Sequence, residues 1–110
     1  MKTEQFNEVV EDAASKIIER LSYKGSEYGL TADRLRQFYD AAEILGCTPE
    51  QTAWTYAMKH IAKLSQHVKD DTLTQEIFSE SGYDIMAYMV LIEAILIDDV
   101  IRGRDVLFGW

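Results

Sequence analysis

Three carboxylates spaced by four residues are the feature of this sequence that could do chemistry. Glu76, Glu80 and Asp84 fall along one strip of a helix if that segment is continuous. Like charges at this spacing repel, and a bound Mg²⁺ would convert the repulsion into ligation, whereas a solvated strip tolerates it. Asp84 differs from the other two because it precedes the most apolar segment, where a carboxylate is costly unless paired or metal-bound. The pattern predicts Glu80 and Asp84 as Mg²⁺ ligands, with a structurally paired Asp84 as the alternative.

A metal site of this kind needs further oxygen ligands from a second element. Lys59 and His60, adjacent in a predicted helix, could neutralise the carboxylates or hold a phosphate. The alternative for this pair is a lysine that extends to solvent and a histidine with a satisfied hydrogen bond at the core edge. Four acidic residues could complete the metal site, and the sequence does not choose among them: Glu27, Asp33, Asp40 and Glu43.

Nucleophilic and zinc chemistry have no support in the sequence. It contains no Gly-rich phosphate loop, HExxH, GxSxG or paired CxxC motif. Cys47 is the single cysteine, so it forms no internal disulfide and builds no zinc site with only His60 and His67 beside it. We expect Cys47 to be a thiol in a loop or at the edge of the core.

Charge and composition argue against a nucleic-acid-binding, a secreted and a membrane-spanning protein. Nineteen Asp and Glu against eleven Lys and Arg give a formal net charge of -8, which argues against direct nucleic-acid binding. The 110 residues, 47% of them hydrophobic, predict a single domain over residues 1–110. The first residues are too charged for a secretory signal, and the apolar run over residues 85–97 falls short of the ~20 residues that span a membrane. We therefore expect a cytoplasmic protein with no membrane segment.

Apolar residues spaced by three and four predict helices throughout and no strand. The first helix is expected over residues 4–22 with an inward stripe from Phe6 to Leu21, followed by a loop over residues 23–30. The second is expected to be capped by Thr31 and to end at Gly46.

The third helix has the clearest start. Thr48 and Gln51 form a capping box around Pro49. The inward stripe is expected to consist of Trp54, Ala57, Met58, Ile61 and Leu64, with Val68 as a candidate for its end.

The fourth helix is expected to start near Leu73, after a second capping box of Thr72 and Gln75. Residues 79–82 favour a kink or a fresh start, because Gly82 costs about 1 kcal/mol in a helix. Residues 85–97 are apolar almost all round, so several partners must cover them, and a second subunit could be one. The chain thus predicts an all-α, four-helix bundle-like domain with a long apolar C-terminal helix. It also predicts a homodimer in which this helix or the apolar tail contributes the contact.

Several segments together resemble a group of small uncharacterised phage and prophage proteins over about residues 20–97. Those proteins are similar, more remotely, to the all-α nucleoside triphosphate pyrophosphohydrolases, the MazG-like and dimeric dUTPase-like enzymes. In that superfamily a helix with Glu-Glu-x-x-Glu and a later helix with Glu-x-x-Asp hold Mg²⁺ on a nucleotide's phosphates. Asp84 occupies the place of the terminal Asp, with Glu80 as the nearest preceding acid. The segments that carry the resemblance are Lys24 to Gly29, Asp33 to Phe38, Gly46 to Glu50, Lys59-His60 and Asp84 to Tyr88.

The resemblance implies a phage-derived protein that binds, or also hydrolyses, a nucleotide. Glu80 and Asp84 would hold Mg²⁺, Lys59 and His60 would steady the phosphates, and Tyr28 or Tyr88 would stack on the base.

The alternative is an acidic, phage-encoded interaction protein that inhibits a host defence or nucleic-acid-binding factor, in the manner of an anti-CRISPR nucleic-acid mimic. Its partner would be a basic host protein, toward which the charge of -8 would steer it. An enzyme would converge its carboxylates in one cleft, whereas a mimic would spread them over an outer face. Either function would be exercised in the host cytoplasm.

Overall fold

Four helices make up the fold in a computed structural model that describes residues 1–28, 33–101 and 103, with residues 23–28 described by their backbone alone. In chain order these are α1 (Thr3–Tyr28), α2 (Arg36–Leu45), α3 (Pro49–Lys69) and α4 (Gln75–Ile101). The described residues contain no strand, and the predicted all-α, four-helix bundle-like fold is confirmed. None of the helices formed by these residues combines the length and hydropathy required to cross a membrane.

The packing centres on α3 and α4, which share the most extensive helix contact, while α1 packs on α4 and α2 packs on α3. Phe38 of α2, Ala53 of α3 and Ile95 of α4 form the buried centre. The small Ala53 and Ala57 side chains on α3 are fully buried, which lets the neighbouring helices approach closely. Partly buried apolar residues surround this centre: Leu35, Tyr88, Leu91 and Ile92.

The corner between α2 and α3 follows local sequence signals. Gly46 ends α2 in the left-handed conformation, with φ of 71°, and its N–H donates to the Ala42 carbonyl. The Thr48 hydroxyl accepts from the Gln51 N–H at 3.1 Å, and the Gln51 side chain accepts from the Thr48 N–H at 2.9 Å. The predicted capping box and the start of α3 at Pro49 are confirmed.

The predicted end of α1 and start of α2 are wrong. The helix continues through residues 23–28, where a loop was expected, because one glycine at position 25 costs about 1 kcal/mol and does not by itself end a helix. The chain enters α2 at Arg36, after the Asp33 carboxylate accepts from the Leu35 N–H at 3.0 Å. Thr31, the expected cap, lies outside the described residues.

The predicted start of α4 is also wrong by two residues. The Thr74 hydroxyl, rather than that of Thr72, accepts a backbone hydrogen bond in the first turn, from the Ile77 N–H at 3.2 Å. Thr72 is engaged by the preceding helix instead, with its hydroxyl 2.8 Å from His67 Nδ1.

Residues 79–82 do not interrupt α4. Gly82 is buried, and a Cβ at this position would lie 2.5 Å from the Phe78 ring. Phe78 in turn packs edge-on against Tyr83 at 5.7 Å between ring centroids. The glycine therefore makes room for an aromatic pair within one helix, and it does not mark a break.

Several residues expected in the core are exposed. On α3, the inward positions are Ala53 and Ala57, and the larger Trp54 and Met58 beside them face outward, because bulky side chains at the inward positions would hold the helices apart. Half or more of the surface of Phe6, Val9, Val10 and Ile18 on α1 is exposed. Part of the apolar run over residues 85–97 is exposed as well, at Met89, Val90, Leu96 and Ile97. Val100 and Ile101, which follow the run, are also exposed.

Candidate functional site

An open cavity of about 680 Å³ lies where all four helices meet. Its walls are mainly apolar and aromatic, with a few polar groups on one side, which is the usual composition of a small-molecule site. The side chains that line it are Glu19, Arg20 and Leu21 of α1, Gln37 and Phe38 of α2, Tyr56 of α3, and Asp84, Ala87, Tyr88 and Leu91 of α4.

An ion pair between α1 and α4 forms the polar wall of the cavity. Arg20 Nε donates to Asp84 Oδ1 at 2.8 Å, and Arg20 Nη2 donates to the Ser79 carbonyl at 3.1 Å. Both charged side chains are about two-thirds covered, with 31% and 34% of their surface exposed. The Arg20 guanidinium also lies over the Tyr83 ring, 5.3 Å from its centroid, which holds its plane in place.

Asp84 has a second neighbour on α3. Its Oδ2 atom lies 3.9 Å from His60 Nδ1, so that a protonated His60 would share the carboxylate with Arg20. The His60 ring is mostly covered and packs against Tyr88, with 6.0 Å between ring centroids. Partial burial, with a smaller contribution from the Asp84 carboxylate, raises the pKa of Tyr88. Tyr88 therefore stays a neutral hydrogen-bond donor at physiological pH.

Three aromatic rings from three helices form a continuous wall beside this polar group. Phe38 and Tyr56 lie 5.9 Å apart between centroids, and Tyr56 and Tyr88 lie 6.5 Å apart in an edge-on arrangement. Tyr56 is partly exposed at the mouth, whereas Phe38 is buried at the base. Such a wall can contact the face or edge of a planar ligand that enters the cavity.

The structure brings together three of the residues singled out from the sequence: His60, Asp84 and Tyr88. It places Glu80 elsewhere, in an exposed ion pair with Lys63 at 3.1 Å. Lys59 is exposed on α3 and is not among the described residues that line the cavity. The side chain of Tyr28 lies outside the described residues.

The acidic residues of the described chain do not fit a Mg²⁺ site. Within residues 1–28, 33–101 and 103, no three His, Cys, Asp or Glu side chains converge as metal ligands. Asp84 faces Arg20 and Glu80 faces Lys63, so each proposed ligand is neutralised by a different cation. Of the acids considered as further ligands, Asp33 caps the Leu35 N–H, Asp40 pairs with Arg36 at 3.5 Å, Glu43 is exposed, and the side chain of Glu27 is not described.

Sequence reasoning missed two of the main groups of this site. Arg20 and Tyr56 were not singled out from the sequence, because helical spacing does not reveal which helix a long side chain will reach. A signal for Arg20 did exist. A carboxylate that opens an apolar helix, as Asp84 does, requires a cation, and sequence reasoning considered only Lys59 and His60 for that role.

A second polar cluster, also missed, joins α2 to the end of α4. The Tyr39 hydroxyl lies 2.8 Å from Asp98 Oδ2 and 2.8 Å from Asp99 Oδ1, and Asp99 is 2% exposed. Burial, followed by these two hydrogen bonds, raises the pKa of Tyr39 above its ordinary value. The cluster fixes the position of α2 on the bundle and thus the position of Phe38 in the cavity.

A shallower depression lies on the other side of α3, near its start. Trp54, Gln51 and Ile92 contribute to it. Cys47 lies at its edge as a half-buried free thiol, with Sγ 3.4 Å from the Thr52 hydroxyl. This placement agrees with the expected thiol at the edge of the core.

Comparison of the chain with protein-family models, with curated proteins and with solved structures gives no match.

Proposed function

We propose that the protein binds a nucleotide, with the base in the cavity between the four helices. The observation that supports this is the meeting of the Phe38, Tyr56 and Tyr88 rings with the Arg20–Asp84 pair in one open cavity. A nucleobase is planar, apolar on its faces and polar along its edge, and these walls present the same division. Contact of a base with an aromatic side chain contributes about 1–3 kcal/mol in nucleic-acid-binding proteins.

The polar wall offers both hydrogen-bond acceptors and hydrogen-bond donors to the edge of such a base. Asp84 Oδ2 faces the His60 ring at 3.9 Å and retains lone pairs that an exocyclic amine could use. The Gln37 amide and the Tyr88 hydroxyl can donate to carbonyl or ring-nitrogen acceptors. Arg20 uses two of its five N–H donors in the described contacts, which leaves donors for a sugar or phosphate oxygen.

The proposal is limited to binding. Mg²⁺ binding by Glu80 and Asp84, and hydrolysis of the nucleotide, stay predictions of the resemblance and are not part of this proposal. The roles of Lys59 on the phosphates and of Tyr28 on the base are proposed from the sequence resemblance alone.

Titration calorimetry of the full chain with nucleosides, nucleoside monophosphates and nucleoside triphosphates tests this proposal. The titrations are run in EDTA and again in Mg²⁺. We expect binding in EDTA, and at least about tenfold weaker binding by the Tyr56→Leu variant, because one aromatic wall is lost. Trp54→Leu is the matched control, since Trp54 is a partly exposed aromatic residue of the same helix that does not line this cavity. Equal loss in both variants, or no binding by the parent chain at millimolar ligand, would contradict the proposal.

A second candidate is the acidic interaction protein that binds a basic protein surface. The observation that favours it is the distribution of the acids: Glu4, Glu8, Glu11 and Asp12 lie on exposed faces of α1, and they do not converge on a cleft. A surface of this kind steers association with a basic partner, and the association rate falls with added salt.

Inhibition of a panel of basic nucleases, measured with and without the protein, separates this candidate from the first. We expect an inhibited nuclease to be released by the triple variant Glu4→Gln, Glu8→Gln, Glu11→Gln, whereas Tyr56→Leu leaves inhibition intact. Inhibition that survives the triple variant would argue against a mimic on α1.

A further inference from the structure

The N-terminal half of α1 is a helix without a packing partner among the described residues. All side chains of residues 1–12 are exposed, and α1 begins to be covered only from Ala13 onward. Isolated helices shorter than about 12–15 residues are marginal in water, because a helix needs packing of its apolar face. The exposed half of α1 continues a helix that is packed further along, and it would gain stability if its apolar face were also covered.

This segment carries a continuous apolar face, which we call the α1 stripe: Phe6, Val9, Val10, Ala13 and Ile17. Its residues recur at helical spacing and lead into Leu21, which lines the cavity with Ala87 of α4. The stripe is thus the extension of the face by which α1 packs on α4, continued past the point where that packing ends. Glu4, Glu8 and Glu11 lie on the opposite side of the helix at 100° per residue.

A second uncovered face, the α4 stripe, consists of Met89, Val90, Leu96, Ile97, Val100 and Ile101, each at least one-third exposed. Positions 89, 93, 96 and 100, and positions 90, 93, 97 and 101, are spaced by three and four, so Glu93 lies in the middle of this face. From the exposed fractions, the two stripes together offer on the order of 800 Å² of apolar surface per chain, the area that one partner buries in an interface of standard size. Neither stripe reaches that area alone.

We propose that two copies of this chain associate by exchange of these surfaces, so that the α1 stripe of each copy packs on the α4 stripe of the other. A two-fold axis makes the contact twice and buries both stripes in both copies. Contact between two α4 stripes would bring the two Glu93 carboxylates together, whereas in the exchanged arrangement each Glu93 meets an α1 stripe that carries no like charge. The acidic face of α1 stays in water, so a chain with a net charge of -8 can associate without burying these carboxylates. The inference rests on packing alone and is independent of the nucleotide proposal.

Light scattering on the full chain at 10–100 µM, an ordinary range for such measurements, tests the association. We expect the parent chain to have twice the 12.6 kDa of one copy. Val10→Lys and Ile97→Lys should each give the mass of one copy, since each places a charge in a stripe. Val10 and Ile97 are 50% and 54% exposed, so a lysine fits at either position in the monomer. Far-ultraviolet circular dichroism verifies that each variant remains folded.

Ser15→Lys is the matched control, because it adds the same charge on the exposed side of α1 away from the stripe. We expect this variant to stay dimeric. The double variant Val10→Lys/Ile97→Glu tests the exchange itself, since opposite charges then face each other across the two copies. It should associate at least about tenfold more tightly than either single lysine variant. A parent chain of 12.6 kDa at 100 µM, or a dimer that both lysine variants leave intact, would overturn the proposal.

Discussion

Replacement of Asp84 by asparagine distinguishes between two roles for this carboxylate, a structural ion pair and a metal ligand. The asparagine side chain keeps the shape and one oxygen acceptor but removes the charge that Arg20 faces at 2.8 Å. If the ion pair holds α1 on α4, the variant should lose stability. If Asp84 instead binds a metal ion, the variant should be as stable as the parent without metal, and it should lose the increase in stability that the metal gives the parent.

The exposure of the pair sets the size of the expected loss. Fully exposed ion pairs contribute about 0–1 kcal/mol, whereas removal of one partner from a buried pair costs about 3–5 kcal/mol. Arg20 and Asp84 are each about one-third exposed, so we expect Asp84→Asn to lower the free energy of unfolding by about 1–2 kcal/mol. For a domain of this size that corresponds to a fall in Tm of roughly 5–10 °C.

Thermal and urea unfolding of the parent and the variant at pH 7, with and without Mg²⁺, provide the measurement. Glu80→Gln is the control, because the Lys63–Glu80 pair is much more exposed and should cost less than about 0.5 kcal/mol. A double-mutant cycle with Arg20→Met should give a coupling energy near 1 kcal/mol. An Asp84→Asn variant as stable as Glu80→Gln, together with a Mg²⁺-dependent rise of Tm in the parent alone, would refute the structural role.

Four further substitutions test how the cavity is held. Tyr39→Phe should cost about 1–3 kcal/mol in urea unfolding, because Asp99 loses a buried hydrogen bond. Because folding raises the pKa of Tyr39, the contribution of its hydroxyl to the free energy of unfolding is complete below about pH 10 and is lost as the pH rises above that value. The parent should therefore lose stability above about pH 10 more steeply than Tyr39→Phe. Ile95→Ala should cost about 2–5 kcal/mol in the same assay, because Ile95 is fully buried. Thr48→Ala should cost about 1 kcal/mol through loss of the capping box, and Gly46→Ala a similar amount through its positive φ, both seen as a lower Tm.

The fold could be predicted from the sequence because its helices depend on local signals. The capping box at Thr48 and the glycine at position 46 act within a few residues, and the start of α3 and the end of α2 were both correctly predicted. The wrong boundaries have local causes as well: Thr74 competes with Thr72 for the start of α4, and the glycine at position 25 is too weak a signal to end α1.

The site could be predicted only in part, for a geometric reason. Asp84 was found because a carboxylate that opens an apolar helix is unusual, His60 because it lies beside Lys59 in the third helix, and Tyr88 through the resemblance. Arg20 was missed because its role depends on which helix it reaches, and its partner is 64 residues away in the sequence. Spacing predicts which residues share a face of one helix, but not which faces of different helices meet.

The same separation of 64 residues between Arg20 and Asp84 has a consequence for the order of folding. The corner of α2 and α3 forms through contacts between residues that are close in the sequence. The docking of α1 on α4 closes a loop that contains most of the chain, and it therefore costs more conformational entropy. We therefore expect the corner to form first and the cavity, which needs Arg20 and Leu21 of α1, to be completed last. A ligand of the cavity would then find its site only in the finished protein. It should slow unfolding in proportion to its affinity and leave the rate of folding unchanged.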